Sequence, residues 1–461
     1  MKVFLSGIAG TGMSSLAGLF KEAGFDVSGS DTAFYPPVGP MLKSAGITTF
    51  EGFSASNIPQ DVDFCVIGNI ISRGNPEAEF ILNNKIKFYS MAAALKEFFI
   101  KDSISIVASG THGKTTVSSF LAYLFSLWGA DPGYFIGGKP VDLGSNYSTG
   151  KGKYFISEGD EYETAFFDRS SKFLKYFPDI LIISSLEYDH LDFFRTETDY
   201  LHAFRNLVNQ VPSGGTIIFN SDFSMAEDTL EGSISPRISY GKRDCDYTVG
   251  DIQPDPEGIN FSLKSKDAEL VFRTPLHGEY NVLNLSAGII AGIHSGIPVS
   301  VIKDAVKGFN GVERRLRKIG TKDNSVLYED FAHHPTSIRE VLKSLKTLYP
   351  GKILTAFFEP ASWSLKNKYF EDRLLESLSI ADEVLIKAPV RMGKIPESKR
   401  INIEAIAEKL NSTGKKCDLT EKISDFETFL KNISHKDNRT IVILSNGSFD
   451  SLPSFAGELF R

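Results

Sequence analysis

Cysteine is scarce in this chain, with three among 461 residues. Cys65, Cys245 and Cys417 stand far apart and make no CxxC pair, so neither a disulfide framework nor a cysteine-rich metal site is indicated. Such sparse usage suits a reducing cytosol. Long apolar runs are also missing: none approaches the roughly 18 residues that would span a bilayer. The apolar start Val3–Leu5 is broken by Gly7, Gly10 and Gly12 before it could serve as a signal peptide. Positive charge is not in excess either. Fifty Lys and Arg face 57 Asp and Glu, the net charge is −7, and there is no long basic block. These absences argue against a nucleic-acid or membrane partner and for a cytoplasmic protein. A small anion remains compatible, because a helix N-terminus binds phosphate without any net positive charge. The oligomeric state is not fixed by any of these features.

What is present is ordinary globular material, 42% apolar and 23% charged. At roughly 150 residues per domain the length predicts about three domains. Short apolar runs read as buried strands at Val3–Ser6, Phe64–Ile67, Ile104–Val107, Tyr154–Ser157, Ile180–Ile183, Thr216–Phe219, Ser325–Tyr328, Ile353–Ala356, Glu383–Ile386 and Ile441–Leu444. Amphipathic segments such as Met13–Ala23, Thr115–Leu127 and Ile338–Leu348 alternate with them. That alternation predicts mainly parallel α/β sheets. It lapses between Ser235 and Arg273, where short antiparallel strands and turns are expected. Composition breaks at Lys96–Ser103 and Gly311–Gly320 place domains at 1–101, 102–316 and 317–461.

Ile104–Thr116 runs from a strand through a tight glycine loop into a helix. Gly113-Lys114-Thr115 matches the end of a Walker A loop, whose amides wrap phosphate and whose lysine reaches the β/γ-phosphates. Thr115 is placed to reach Mg²⁺. The first glycine of that pattern is replaced by Ala108, but Gly110 and Gly113 remain. The alternative is a chance glycine turn capping a helix. ATP or GTP binding follows; the chemistry does not.

Gly110-Thr111-His112-Gly113-Lys114-Thr115-Thr116 resembles the ATP loop of the Mur ligases, which form amide bonds in cell-wall precursor synthesis. The resemblance implies three α/β domains: a Rossmann-like first, a P-loop ATPase-like second and a Rossmann-like third. It also implies further marks, and they follow in order. Glu158, in Ser157–Glu161, and His190, in Ser184–His190, match the family's metal-site glutamate and histidine, giving Thr115, Glu158 and His190 as metal residues. Alone, that acidic loop would read as a solvated turn and that histidine as structural. Asn281 and Asn284 match the family's adenine-contacting pair, where capping is the isolated reading. Arg315 would contact the γ-phosphate and Asp330 the ribose; read alone they suggest a boundary salt bridge and a helix cap. Lys114, His190 and Arg315 are the implied catalytic residues. Two departures stand out. Ser185 replaces a frequent Asn, and Phe204 stands where several relatives carry a carbamylated lysine.

At the N-terminus, Gly7, Gly10, Thr11 and Gly12 follow a strand, and Asp31 ends the next one. The spelling GxxGxG is near a dinucleotide-binding turn and, read cold, suggests NAD. The resemblance points instead to a diphosphate cradle for UDP-MurNAc, with Ser72 and Arg73 adding contacts. Ile67–Pro76, Asp160–Asp168, Ile443–Phe449 and Tyr35–Pro37 are similar to the branch of the family that attaches an intact tripeptide in murein recycling. The branch that adds L-alanine in de novo synthesis is the alternative. A nucleotide-binding regulatory protein without ligase chemistry is a third. Phe358-Glu-Pro-Ala-Ser362 departs from the tripeptide branch, with Ala361 where Arg is common. The implied substrates are UDP-MurNAc, ATP with Mg²⁺, and a peptide or amino acid.

Overall fold

Three large sheets follow one another along the chain, with a two-stranded ribbon of Glu163–Ala165 and Asp168–Ser171 beside them among the described residues. The computed structural model describes every residue except Pro37, Arg391, Gly393, Lys394 and Arg461, so Pro37 of the Tyr35–Pro37 stretch lies outside the described residues.

The first sheet is all parallel, in the spatial order Thr48–Glu51, Asp26–Asp31, Lys2–Ser6, Phe64–Ile67, Phe88–Ser90. Strand order reverses between Lys2–Ser6 and Phe64–Ile67, which opens a crevice at their carboxyl ends. Helix Thr11–Glu22 starts in that crevice and buries Leu16, Leu19 and Phe20. Phe20 joins Phe25, Phe64 and Phe98 in an aromatic cluster in which Phe64 and Phe98 stack at 4.7 Å. Glu77 lies buried in the first turn of helix Pro76–Asn83. Its carboxylate accepts the Ser6 and Ser30 hydroxyls, each at 2.6 Å, and the Asn57 amide at 2.9 Å. A charge removed from water persists only with such partners, so Glu77 pins two strand ends together.

The second sheet has ten strands. Its centre is Thr216–Asn220, Ile180–Ile183, Ile104–Ser109, Tyr154–Glu158 and Gly133–Phe135, all parallel. These strands are buried on both faces, which is why they read as continuous β-branched runs. The third sheet runs Arg317–Lys322, Ser325–Asp330, Arg439–Leu444, Ile353–Phe358, Glu383–Lys387, Lys416–Thr420, with only the first pair antiparallel.

One detail differs from the sequence expectation. Arg237–Gly241 is not antiparallel: it pairs in parallel with Thr216–Asn220 across the short helix Ser224–Asp228. Five residues make less than two helical turns, too few to leave a periodic signal. Antiparallel pairing begins only with Tyr247–Asp255, Gly258–Ser265 and Glu269–Thr274, which extend the main sheet. Lys96–Ile100, in the charged stretch at the expected domain boundary, continues helix Met91–Leu95 with wider π-type winding and buries Ile100.

The first two sheets meet where helix Thr11–Glu22 lies against Tyr147–Ser148. Asn146 donates to the Ser15 hydroxyl at 2.9 Å, and the Thr149 amide to Glu22 at 3.0 Å. A Cβ on Gly18 would sit 2.1 Å from the Tyr147 ring, so this close approach depends on glycine. We expect Gly18→Ala to cost about 1–3 kcal/mol of stability in urea unfolding through overpacking. Adding Tyr147→Ala should recover part of that loss, and strict additivity would contradict the contact as described.

Candidate active site

A cavity of about 550 Å³ is lined by Gly7, Gly10, Thr11 and Gly12 from the first sheet, Thr111–Thr116 from the second, and Arg315 and Asp330 at the start of the third. The carboxyl ends of neighbouring parallel strands build its floor. Ile104–Ser109 is flanked by Tyr154–Glu158 and Ile180–Ile183, so the loops after all three converge.

The phosphate loop ends at Gly113, whose φ of 85° is the left-handed conformation that opens helix Lys114–Leu127. A Cβ there would fall 2.1 Å from Asn284 Oδ1, which places Asn284 against the loop. Ser185, the departure from Asn, braces the loop from the next strand. Its hydroxyl accepts the His112 amide at 2.9 Å, and its carbonyl accepts the Thr111 amide at 2.8 Å.

Lys114 Nζ donates to the Gly110 carbonyl at 2.6 Å and lies 2.9 Å from Glu161. Burial alone would drive the lysine toward its neutral form, but Glu161 outweighs it and the pKa is raised. His190 Nε2 lies 3.2 Å from the same carboxylate. Burial disfavours the imidazolium, yet the bond to Glu161 raises His190 to about 9, so it is a cation at neutral pH. Glu161 is buried and feels the opposite pull. Desolvation would raise it, but Lys114 and His190 hold it low. In the sequence Glu161 stands out only as a neighbour of Glu158, within the acidic run Asp160-Glu161.

Thr115 Oγ1 donates to Glu158 at 2.9 Å, and the Gly137 amide holds the other Glu158 oxygen at 2.7 Å. Burial raises the Glu158 pKa, with Lys114 opposing. A hydroxyl and a carboxylate side by side are hard oxygen donors that suit Mg²⁺. His190 belongs with Glu161 rather than with this pair. Phe204 fills the core 5.0 Å from the Phe173 ring and 5.1 Å from Tyr200.

The chain enters the third sheet through a strained crossing, with Arg314 at φ 62° and Leu316 at φ 46°. Between them Arg315 stacks 4.8 Å from the Phe331 ring and reaches Thr115 Oγ1 at 3.3 Å. Arg314, not Arg315, makes the boundary salt bridge, to Glu329 at 3.2 Å. The cap of helix Pro335–Leu348 is His334 rather than Asp330. Asp330 accepts the Leu316 and Ala332 amides at 2.5 and 2.7 Å.

Several expected residues lie elsewhere. Asn281 donates to the His277 carbonyl at 2.8 Å at the start of its own helix and is outside the cavity lining. Asp31 clamps the glycine loop, accepting the Ala9 amide at 2.8 Å. Ser72 is exposed, and Arg73 pairs with Glu79 at 2.8 Å on the surface. Within the stretch 68–76, from which further contacts are expected, Asn69 and Ile70 line the cavity; the Lys242–Glu279 ion pair, which no sequence motif marks, lines it as well.

Two outcomes follow. Gly113→Ala should displace Asn284 and weaken ATP binding at least tenfold in titration calorimetry, with the fold retained. Burial lifts Asp330 to about 6, against Arg315 and two amides that pull it down. Between pH 4 and 6 the folded state keeps a proton that the unfolded chain has released, so stability falls as pH rises through that window. Asp330→Asn should therefore be more stable than the parent at pH 7 by about 1–2 kcal/mol, at roughly 1.4 kcal/mol per unit less one lost amide bond. The advantage should vanish at pH 4; a variant less stable than the parent at both pH values would refute the assignment.

Three family models match the chain in succession: Mur ligase family, catalytic domain, over residues 4–102; Mur ligase middle domain over 108–292; and Mur ligase, glutamate ligase domain over 314–449. The UDP-N-acetylmuramate–L-alanyl-γ-D-glutamyl-meso-2,6-diaminoheptandioate ligase of Escherichia coli is 32% identical over 454 residues, covering 98% of this chain and 96% of that protein. The UDP-N-acetylmuramate–L-alanine ligase of Clostridium acetobutylicum is 30% identical over 461 residues, covering 100% and 97%. A crystal structure of a murein peptide ligase from Psychrobacter arcticus superposes with a TM-score of 0.74 at 29% identity, covering 99% of each chain. Loop, carboxylates and cleft thus sit in a chain similar to these ligases from end to end, and the protein belongs to the Mur ligase family of ATP-dependent ligases that form carbon–nitrogen bonds in peptidoglycan synthesis.

Proposed function

We propose that this protein joins the tripeptide L-Ala-γ-D-Glu-meso-diaminopimelate to UDP-MurNAc at the expense of ATP, in the cytoplasmic recycling of murein. The observation that carries this reading is one cleft served by three sheets, with Lys114, Arg315 and the Thr115–Glu158 pair facing the same space. Residues 1–101 would hold the sugar nucleotide, 102–316 ATP, and 317–461 the acceptor. The choice of tripeptide rests on the Escherichia coli relative and on the four stretches that resemble that branch. The second reading, L-alanine as acceptor, is favoured by the Clostridium acetobutylicum relative, which matches the full chain almost as well.

In the proposed reaction the muramoyl carboxylate attacks the γ-phosphorus in line and ADP leaves, giving an acyl phosphate. The acceptor amine then adds to the acyl carbon, loses a proton, and expels phosphate. Such chemistry asks mainly for positioning and charge stabilisation. Lys114 would swing from the Gly110 carbonyl onto the phosphates, while His190, a cation on Glu161, faces the charge that develops. Arg315 would bring a third cation, a guanidinium, from the domain joint. Mg²⁺ on Thr115 and Glu158 would neutralise phosphate oxygens. Asp330 and Phe331 close one wall of the cleft, limiting water near an intermediate that water would destroy.

The acceptor edge explains how Ala361 is accommodated. Ala361 lies beside Gly447 and Glu359, and Glu359 takes the buried Lys387 ammonium at 2.8 Å. Lys387 also meets Asp450 at 2.6 Å. One ammonium, Lys387, therefore stands at this edge between two carboxylates, on the strand next to the one that leads to Ala361.

The test is phosphate release with UDP-MurNAc and ATP while the acceptor is varied. The tripeptide should turn over faster than L-alanine at equal concentration; the reverse order overturns the first reading in favour of the second. Absence of release with either acceptor would point to a regulatory nucleotide binder. Lys114→Ala should lower turnover by about 10²–10³, and a variant that still ligates at the parental rate would sink the mechanism.

A further inference from the structure

Behind the phosphate loop, three side chains from three elements converge on one point. His112 is part of the loop, Glu187 follows strand Ile180–Ile183, and His334 caps helix Pro335–Leu348 of the last domain. One ligand atom from each lies within 4.8 Å of the others. His112 Nε2 and His334 Nδ1 both stand 3.5 Å from Glu187 Oε2. That separation is long for a hydrogen bond. It is close to the edge of a tetrahedron with metal–ligand bonds of 2.1 Å, roughly 3.4 Å.

The hydrogen positions sharpen the point. The Thr336 amide donates to His334 Nδ1 at 3.3 Å, so Nδ1 carries no hydrogen, and its one lone pair is held only by this long contact, which a bound ion would displace. His334 Nε2 is buried with no partner. No proton therefore stands between Nδ1 and the Glu187 oxygen 3.5 Å away. On the other side, His112 Nδ1 lies 3.1 Å from the Ser337 hydroxyl. Ser337 can donate to Nδ1, leaving Nε2–H on Glu187, or accept from it, leaving the Nε2 lone pair turned to Glu187. In the second tautomer all three ligand atoms present lone pairs to one point, as a cation requires. Thr336 Oγ1 donates to Glu187 Oε2 at 2.7 Å and relieves one acceptor direction only.

We propose that His112, Glu187 and His334 form a binding site for a borderline divalent cation such as Zn²⁺ or Co²⁺, which bridges the phosphate loop to the last domain. Two imidazoles and one carboxylate are the donor set such ions take, with water completing four-coordination. Mg²⁺ prefers oxygen and favours the Thr115–Glu158 pair instead. The partly exposed side chains of His112 and Glu187 leave an entry path. Because the ligands come from two domains, the bound ion holds the domain joint together. The site stands independently of the ligase reading.

The experiment titrates Co²⁺ into the full-length protein at saturating Mg²⁺ and follows the visible d–d absorption of four-coordinate cobalt. The band should appear, be displaced by Zn²⁺, and weaken at least tenfold in affinity in both His334→Gln and Glu187→Gln. Glu158→Gln should keep it. Zn²⁺ should also raise the thermal midpoint of the parent and not of Glu187→Gln. Circular dichroism checks each variant, and if one fails to fold the other decides. No four-coordinate band, a band that survives in the folded variants, or a band lost in Glu158→Gln would overturn the proposal.

Discussion

A lysine ammonium at the floor of a cleft needs a counter-charge that enters the protein with it, and Glu161 is that charge. Its buried carboxylate meets Lys114 at 2.9 Å and His190 at 3.2 Å. One anion shared by two cations leaves the group net positive, which is the sign a polyphosphate needs. The arrangement depends on strand order. Lys114, Glu161 and His190 follow three adjacent parallel strands, spaced by about 4.8 Å each. A permuted sheet would carry the same motifs and bring none of them together. Removing the carboxylate would strand two buried cations, so the site and the local fold share one dependency.

This explains which features could be read from sequence. The phosphate loop was legible because its cradle is built from consecutive residues, strand, glycines and helix within one short run. Glu161 and Glu187 matter through partners 47 and 75 positions away, a relation that no local pattern encodes. Arg73 and Asn281 show the opposite case. Each is the residue type that an anion or an adenine would want. Glu79, six positions on, takes Arg73, and the His277 carbonyl, four positions back, takes Asn281. Local satisfaction is cheap in entropy and wins unless tertiary structure prevents it. The helix Ser224–Asp228 was hidden for another reason, since one turn and a half has no period to detect.

The site also gathers features that folding alone would disfavour. Asp330 is buried with its pKa raised to about 6. His190, Arg314 and Leu316 hold positive φ without being glycine. Backbone strain of this kind costs of order 1–3 kcal/mol per residue and persists where neighbours over-determine it. Here the neighbours are visible: Phe331 donates its amide to the Arg314 carbonyl at 2.8 Å, and Asp330 takes the Leu316 amide. Arg315 is thereby aimed at Thr115 from across a domain joint. Stability spent at the joint is returned as orientation at the phosphate end.

The same geometry accounts for the nearly equal resemblance to two kinds of ligase, 32% to one and 30% to the other. The names of both ligases share UDP-N-acetylmuramate and differ only in what is attached to it. If the first two sheets serve the shared substrates, most of the chain is under a common demand, and identity averaged over its whole length is insensitive to the acceptor. Discrimination then falls to a few side chains at the carboxyl edge of the third sheet. There, Glu359, Lys387 and Asp450 follow or end three neighbouring strands and form one ion cluster. Ala361 beside this cluster removes one positive charge and leaves its three members in contact, so one mismatch in a motif is weaker evidence against an acceptor than the motif alone suggests.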